Sequence, residues 1–142
     1  IIAIGAIIVP FVYMAHAITL PPTSMPQQHY IYKALSFFYS NYNAVPKNCM
    51  VFSFTPDIWY EVNRSAAQIG YLNNNDRAFA NATRNYSCYV VDYGYWCNVP
   101  PFQSTTCSMI KSNYMLKALA IENVSNTSES YALYRLLNYT PG

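Results

Sequence analysis

Twenty residues, Ile1 to Leu20, run IIAIGAIIVPFVYMAHAITL, with His16 and Thr19 the only clearly polar members. As a helix this stretch spans about 30 Å, the hydrocarbon thickness of a bilayer. Pro10 would kink a soluble helix, but membrane helices tolerate proline better. Tyr13 and His16 suit the headgroup region near its end. A secretory signal competes with this reading and fits less well, since no basic stretch precedes the apolar run and no clear small-x-small cleavage site ends it. A buried core helix is the third reading. The chain opens on Ile rather than Met, as expected of a processed, trimmed or excised piece. Pro21, Pro22 and Pro26 then form a stiff linker. The expected organisation is a transmembrane or membrane-anchoring helix at 1–20, a Pro-rich linker at 21–26 and an extracytoplasmic domain at 27–142.

Two features place that domain outside the cytoplasm. Cys49, Cys88, Cys97 and Cys107 are even in number, contain no CxxC pair, and have spacings that fit no usual zinc knuckle. Six Asn-x-Ser/Thr sequons begin at Asn63, Asn81, Asn85, Asn123, Asn126 and Asn138, where about two would arise by chance. Pro141, directly after Thr140, weakens Asn138 as an acceptor. The net charge of +2 supplies no basic stripe for phosphates, so nucleic acid is not an expected partner. Fifteen tyrosines suit either a small core or a surface that meets headgroups, glycans or protein.

Apolar residues at Ile31, Ala34, Leu35, Phe38 and Tyr42 predict a helix over 27–42. CMVFSF, from Cys49 to Phe54, lies between Pro46 and Pro56 and reads as a buried strand. Thr55, Pro56 and Asp57 offer N-cap chemistry for a short helix over IWYEVN. RSAAQIGYLNNND reads mostly as loop, and 76–83 as another brief helix. SCYVVDY, 87–93, repeats the look of the first strand. Residues 94–104 read as an aromatic, proline-rich loop and 105–115 as a helix. KALAIEN and YALYRLLNY close the chain as a hairpin or a strand-helix pair. The fold class is α/β: an N-terminal transmembrane helix followed by a small two- or three-layer domain with parallel strands and a closing hairpin. Parallel neighbours would set Cys49 and Cys88 at the same strand ends, so Cys49–Cys88 and Cys97–Cys107 are the predicted bridges.

Chemistry is sparse in this sequence. No catalytic residue, metal site or cofactor is expected, because GxGxxG, phosphate-loop, HExxH and GxSxG motifs are all missing. Asp57 and Glu61 are spaced to share a helix face, but N-cap and solvated roles fit them better. Asp92 ends a strand just before Gly94, where open α/β sheets place ligand contacts, with a turn-forming Asp as the competing reading. Tyr93, Tyr95 and Trp96, with Phe102, are able to stack on sugar rings or to seal the disulfide loop.

The succession VPKNCMVFSF, TPDIWY and NRSAAQ, then SCYVVDYGYWC and YALYRLLNY, resembles the extracytoplasmic tail of multi-spanning membrane glycosyltransferases. These are the archaeal and bacterial relatives of dolichyl-phosphate-mannose–protein mannosyltransferases. The resemblance implies a non-catalytic outer cap that shapes acceptor access in an enzyme using a polyprenyl-phosphate sugar. The family's catalytic acids would lie upstream of Ile1. The implied partners are the membrane and a glycan or polyprenyl-linked sugar. The competing expectation is an archaeal pilin-like subunit, processed to an apolar helix and self-assembling into a surface filament.

Overall fold

A computed structural model describes residues 25–73, 77–98, 103–123 and 130–140. The chain divides into two compact units, Ile1–Tyr30 and Ile31–Gly142. The segment expected to span a membrane, 1–20, lies outside the described residues. Among those described, no helix is long and apolar enough to cross a bilayer. Helix α1 covers Met25–Asn41, so the last two residues of the expected linker belong to it. Pro26 fits there because a first-turn residue has no intrahelical N–H bond to lose.

The remaining elements are β1 (Cys49–Ser53), α2 (Pro56–Glu61), β2 (Ser65–Gln68), α3 (Arg77–Thr83), β3 (Cys88–Tyr93), α4 (Ser108–Asn113), β4 (Leu116–Asn123) and β5 (Ser130–Leu136). They build one five-stranded sheet in the order β2-β1-β3-β5-β4. β1 runs parallel to both β2 and β3, while β5 runs antiparallel to β3 and β4. The fold class is therefore a small mixed α/β domain, and the closing segments form a hairpin that extends the same sheet.

Side-chain alternation explains the layers. Cys49, Val51, Cys88 and Val90 face one side, where they pack with Phe37 and Phe38 of α1 and Trp59 of α2. Met50, Phe52, Tyr89 and Val91 face the other, against Ile110 of α4 and the half-buried Phe79 of α3. Both faces of β1 are covered, which is why its residues are all buried and its sequence is continuously apolar.

Two elements differ from the sequence expectation. RSAAQIGYLNNND contains β2 and a 3-10 turn at Ile69–Asn73 rather than loop alone. Ala66 and Ala67 carry little strand preference, and pairing with β1 holds the strand in place. Helix α2 takes Thr55 as its N-cap residue, and Asp57 lies in the first turn rather than at the cap. A carboxylate in that turn still meets the favourable end of the helix dipole.

The expected disulfides are both present. Cys49–Cys88 joins β1 to β3 with Cα atoms 4.6 Å apart, and Cys97–Cys107 staples the segment between β3 and α4 at 5.6 Å. All four cysteines are buried. Bonds of this kind persist in oxidising compartments.

Candidate functional site

Register brings together two residues that lie far apart in sequence. Cys49 pairs with Cys88 and Val51 with Val90 across the parallel β1–β3 ladder. Two residues further along each strand stand Ser53 and Asp92, on the same face as those cysteines. One end of this row is closed by a disulfide and the other by a hydrogen bond. Ser53 Oγ donates to Asp92 Oδ2 at 2.9 Å. The backbone N–H of Thr55 donates in turn to Ser53 Oγ at 3.1 Å.

Trp59 completes the arrangement from α2. Its Nε1 donates to the same Asp92 oxygen at 2.9 Å, across 33 residues of sequence. The indole itself is fully buried and meets Phe38 edge-to-face at 4.9 Å. Asp92 Oδ1 points toward Gly94, where an added Cβ would stand 3.0 Å away. Glycine therefore leaves the carboxylate room that a side chain at position 94 would contest.

Asp92 is crowded by protein yet only partly buried as a residue. Burial raises its pKa above the ordinary carboxylate value, and the Trp59 and Ser53 donors oppose that rise. The folded state thus favours the protonated acid more than the unfolded chain does. Its contribution to stability is present below the ordinary carboxylate pKa and is lost as pH rises through the folded value. Asp92→Asn keeps an oxygen acceptor for both donors and cannot ionise. Thermal melts from about pH 4 to 7 are therefore expected to lose less stability with rising pH in D92N than in the parent. Equal slopes would mean that Asp92 does not carry this pH dependence.

The row lies at the carboxyl ends of β1 and β3, neighbours whose following connections lead to opposite sides of the sheet. Open α/β sheets bind ligands in that crevice. Phe54, next to Ser53, and Trp96, two residues past Gly94, bring half-buried rings within 6.5 Å at this end. The expected aromatic loop is thus divided in its roles. Tyr93 is buried with Cys97 and Cys107, and its ring is capped by Lys111 Nζ at 4.4 Å, which makes it the seal of the disulfide. Trp96 keeps partial access to solvent. The side chain of Tyr95, and Phe102 altogether, lie outside the described residues.

Sequence reading missed Ser53 and Trp59, which resembled an ordinary strand end and an ordinary helix position. The equal spacing of Cys49-x-Val51-x-Ser53 and Cys88-x-Val90-x-Asp92 was the signal that could have found the first. Nothing local marks the second. Asp57 and Glu61 are both exposed on α2. Among the described residues, no three His, Cys, Asp or Glu side chains come together as a metal site.

Of the six sequons, Asn63, Asn81, Asn85, Asn123 and Asn138 are exposed, and Asn126 lies outside the described residues. Asn138 is engaged by its neighbours: its Oδ1 accepts from the Met115 N–H at 2.7 Å and its Nδ2 donates to Asn113 O at 3.5 Å. No protein-family profile, curated protein or solved structure matches this chain.

Proposed function

We propose that this chain forms the outer, non-catalytic α/β domain of a membrane glycosyltransferase using polyprenyl-phosphate sugars, and that its β1–β3 crevice meets the sugar-bearing acceptor. The observation that carries the reading is the carboxylate of Asp92 at the switch point of a parallel ladder, with the half-buried rings of Phe54 and Trp96 paired at the same strand ends on the other face of the sheet. A fixed acceptor takes hydroxyl hydrogens, and aromatic faces take the C–H faces of pyranoses. Asp92 is spoken for by two donors on one oxygen, which suits orienting a ligand better than moving protons. Membrane anchoring belongs to this proposal as well, through the apolar segment 1–20. The pilin-like alternative is disfavoured by the parallel strands and the two helical faces, since outer domains of that class are usually all-β.

Two measurements test the reading. Trp96 is one of only two tryptophans, and the other is fully buried. Its fluorescence is therefore expected to change on titration with neutral oligosaccharides. Trp96→Ala should abolish the response, and Asp92→Ala should weaken binding about tenfold, or ~1.4 kcal/mol. A flat response across a panel of hexose and N-acetylhexosamine oligomers would remove the crevice from the proposal. The coding sequence upstream of Ile1 tests the remainder. Several apolar spans with an acidic loop after the first support it, whereas a short basic leader with a processing site would replace it by the filament subunit.

A further inference from the structure

At the opposite end of the parallel strands from Asp92, an open groove of about 420 Å³ is lined by Tyr60, Asn63, Arg64, Ser65, Tyr86 and Met50. Three of those residues, Asn63-Arg64-Ser65, are a complete sequon. From this coincidence we infer that Asn63 carries an N-linked glycan whose first sugar seats in the groove against Tyr60, and that this sugar stabilises the fold.

The local backbone explains why the acceptor is presented there. Asn63 has φ of 56°, the only non-glycine residue with positive φ among those described. It follows the last turn of α2, where its N–H donates to Tyr60 O at 3.0 Å and the Arg64 N–H donates to Trp59 O at 2.9 Å. That pair of bonds is a Schellman motif with Asn63 in its left-handed position. Asparagine tolerates that conformation better than most residues. The motif also folds the chain back, so Tyr60, three residues before the acceptor, stands beside it in the groove. Tyr60 is 56% exposed, yet its hydroxyl is anchored to Ala66 O at 2.6 Å. A large aromatic face is thus left open and held still in the groove that Asn63 also lines. The guanidinium of Arg64 is turned inward, with Nε donating to Val45 O at 3.2 Å and its carbon 5.9 Å from the Tyr42 ring. The middle residue of the sequon therefore does not fill the groove with a mobile side chain.

The Asn85 sequon also borders this groove, through its middle residue Tyr86, but those at Asn81, Asn123 and Asn138 sit differently. Thr83, the hydroxyl residue of the Asn81 sequon, is 1% exposed with Oγ1 on Phe79 O at 2.9 Å. Asn123 is the last residue of β4, and Asn138 is engaged on both sides of its amide.

Attachment is a transfer from a polyprenyl-diphosphate-linked oligosaccharide. Asn63 Nδ2 forms the bond to C1 of the sugar, the C1–oxygen bond to the carrier breaks, the carrier leaves as its diphosphate, and Nδ2 loses one proton. The host's oligosaccharide transferase performs it on the nascent chain, before α2 and β2 close around the sequon. Seated afterwards, the sugar's C–H face covers Tyr60, and apolar surface leaves water.

The test expresses the full chain in an insect-cell secretory host and reads glycopeptides and melting temperature together. The Asn63 peptide is expected to be occupied, and trimming every glycan to its first sugar should leave the melting temperature unchanged. Asn63→Gly suits the left-handed backbone, so it removes the sugar without strain. It is expected to lower the melting temperature of the glycosylated protein by about 4 °C, while scarcely changing that of protein made in a host without glycosylation. Tyr60→Ala should erase this difference between hosts, and Tyr60→Phe should keep it. A bare Asn63, or equal melting of N63G and parent in the glycosylating host, would overturn the inference.

Discussion

Replacing Cys49 and Cys88 together by alanine is expected to lower the melting temperature by roughly 10–20 °C, the largest loss of any disulfide change in this domain. The bridge spans 39 residues of sequence, and the Cys97–Cys107 bridge spans 10. Confining a loop of the first size in the unfolded chain stabilises the fold by about 4 kcal/mol, and one of the second size by about 3 kcal/mol. Native domains are held by only about 5–15 kcal/mol, so either loss is a large share of the whole. Position widens the gap between them. Cys49 is fully buried in the central row, and the segment its bridge encloses contains α2, β2 and α3. Without the bridge, the β1–β3 register rests on a short ladder of backbone bonds and the Ser53–Asp92 contact. Paired melts of C49A/C88A and C97A/C107A, each purified from an oxidising host, decide the matter. An equal or smaller loss for the long-range pair would show that the register is secured elsewhere.

That register also separates what the sequence makes legible from what it hides. CMVFS and CYVVD read as strands because they are short, apolar and bounded by turn-forming residues. Their parallel pairing made Cys49–Cys88 predictable, and the observed bridge follows from it. β2 could not be read this way, since Ser65-Ala-Ala-Gln68 is too small and too neutral to declare a strand without its neighbour. β4 presented the opposite difficulty. Its Leu, Lys, Ala and Glu residues are good helix formers, and pairing with β5 overrides that preference. At the candidate site, Asp92 was legible from its place before Gly94, a purely local feature. Its two donors were not, because Ser53 arrives through register and Trp59 through the docking of α2.

Trp59 is where that hidden part of the site is most exposed to experiment. Trp59→Ala removes a fully buried indole from its edge-to-face contact with Phe38 at 4.9 Å, and a cavity of that kind costs about 3–5 kcal/mol. It also takes one of two donors from a crowded carboxylate, at about 1–3 kcal/mol more. The alanine variant is therefore expected to unfold at or near physiological temperature. Trp59→Phe separates the two contributions, since it keeps a ring against Phe38 and deletes only the Nε1–H donor and part of the bulk. Asp92→Asn provides the second edge of a double-mutant cycle. If the indole holds the carboxylate in place, W59F should be more costly in the parent than in the D92N background, where no charge depends on the lost donor. The expected coupling is about 0.5–3 kcal/mol, read from denaturant unfolding of all four proteins at neutral pH. Strict additivity would reduce Trp59 to a packing residue and leave the orientation of Asp92 to Ser53 alone.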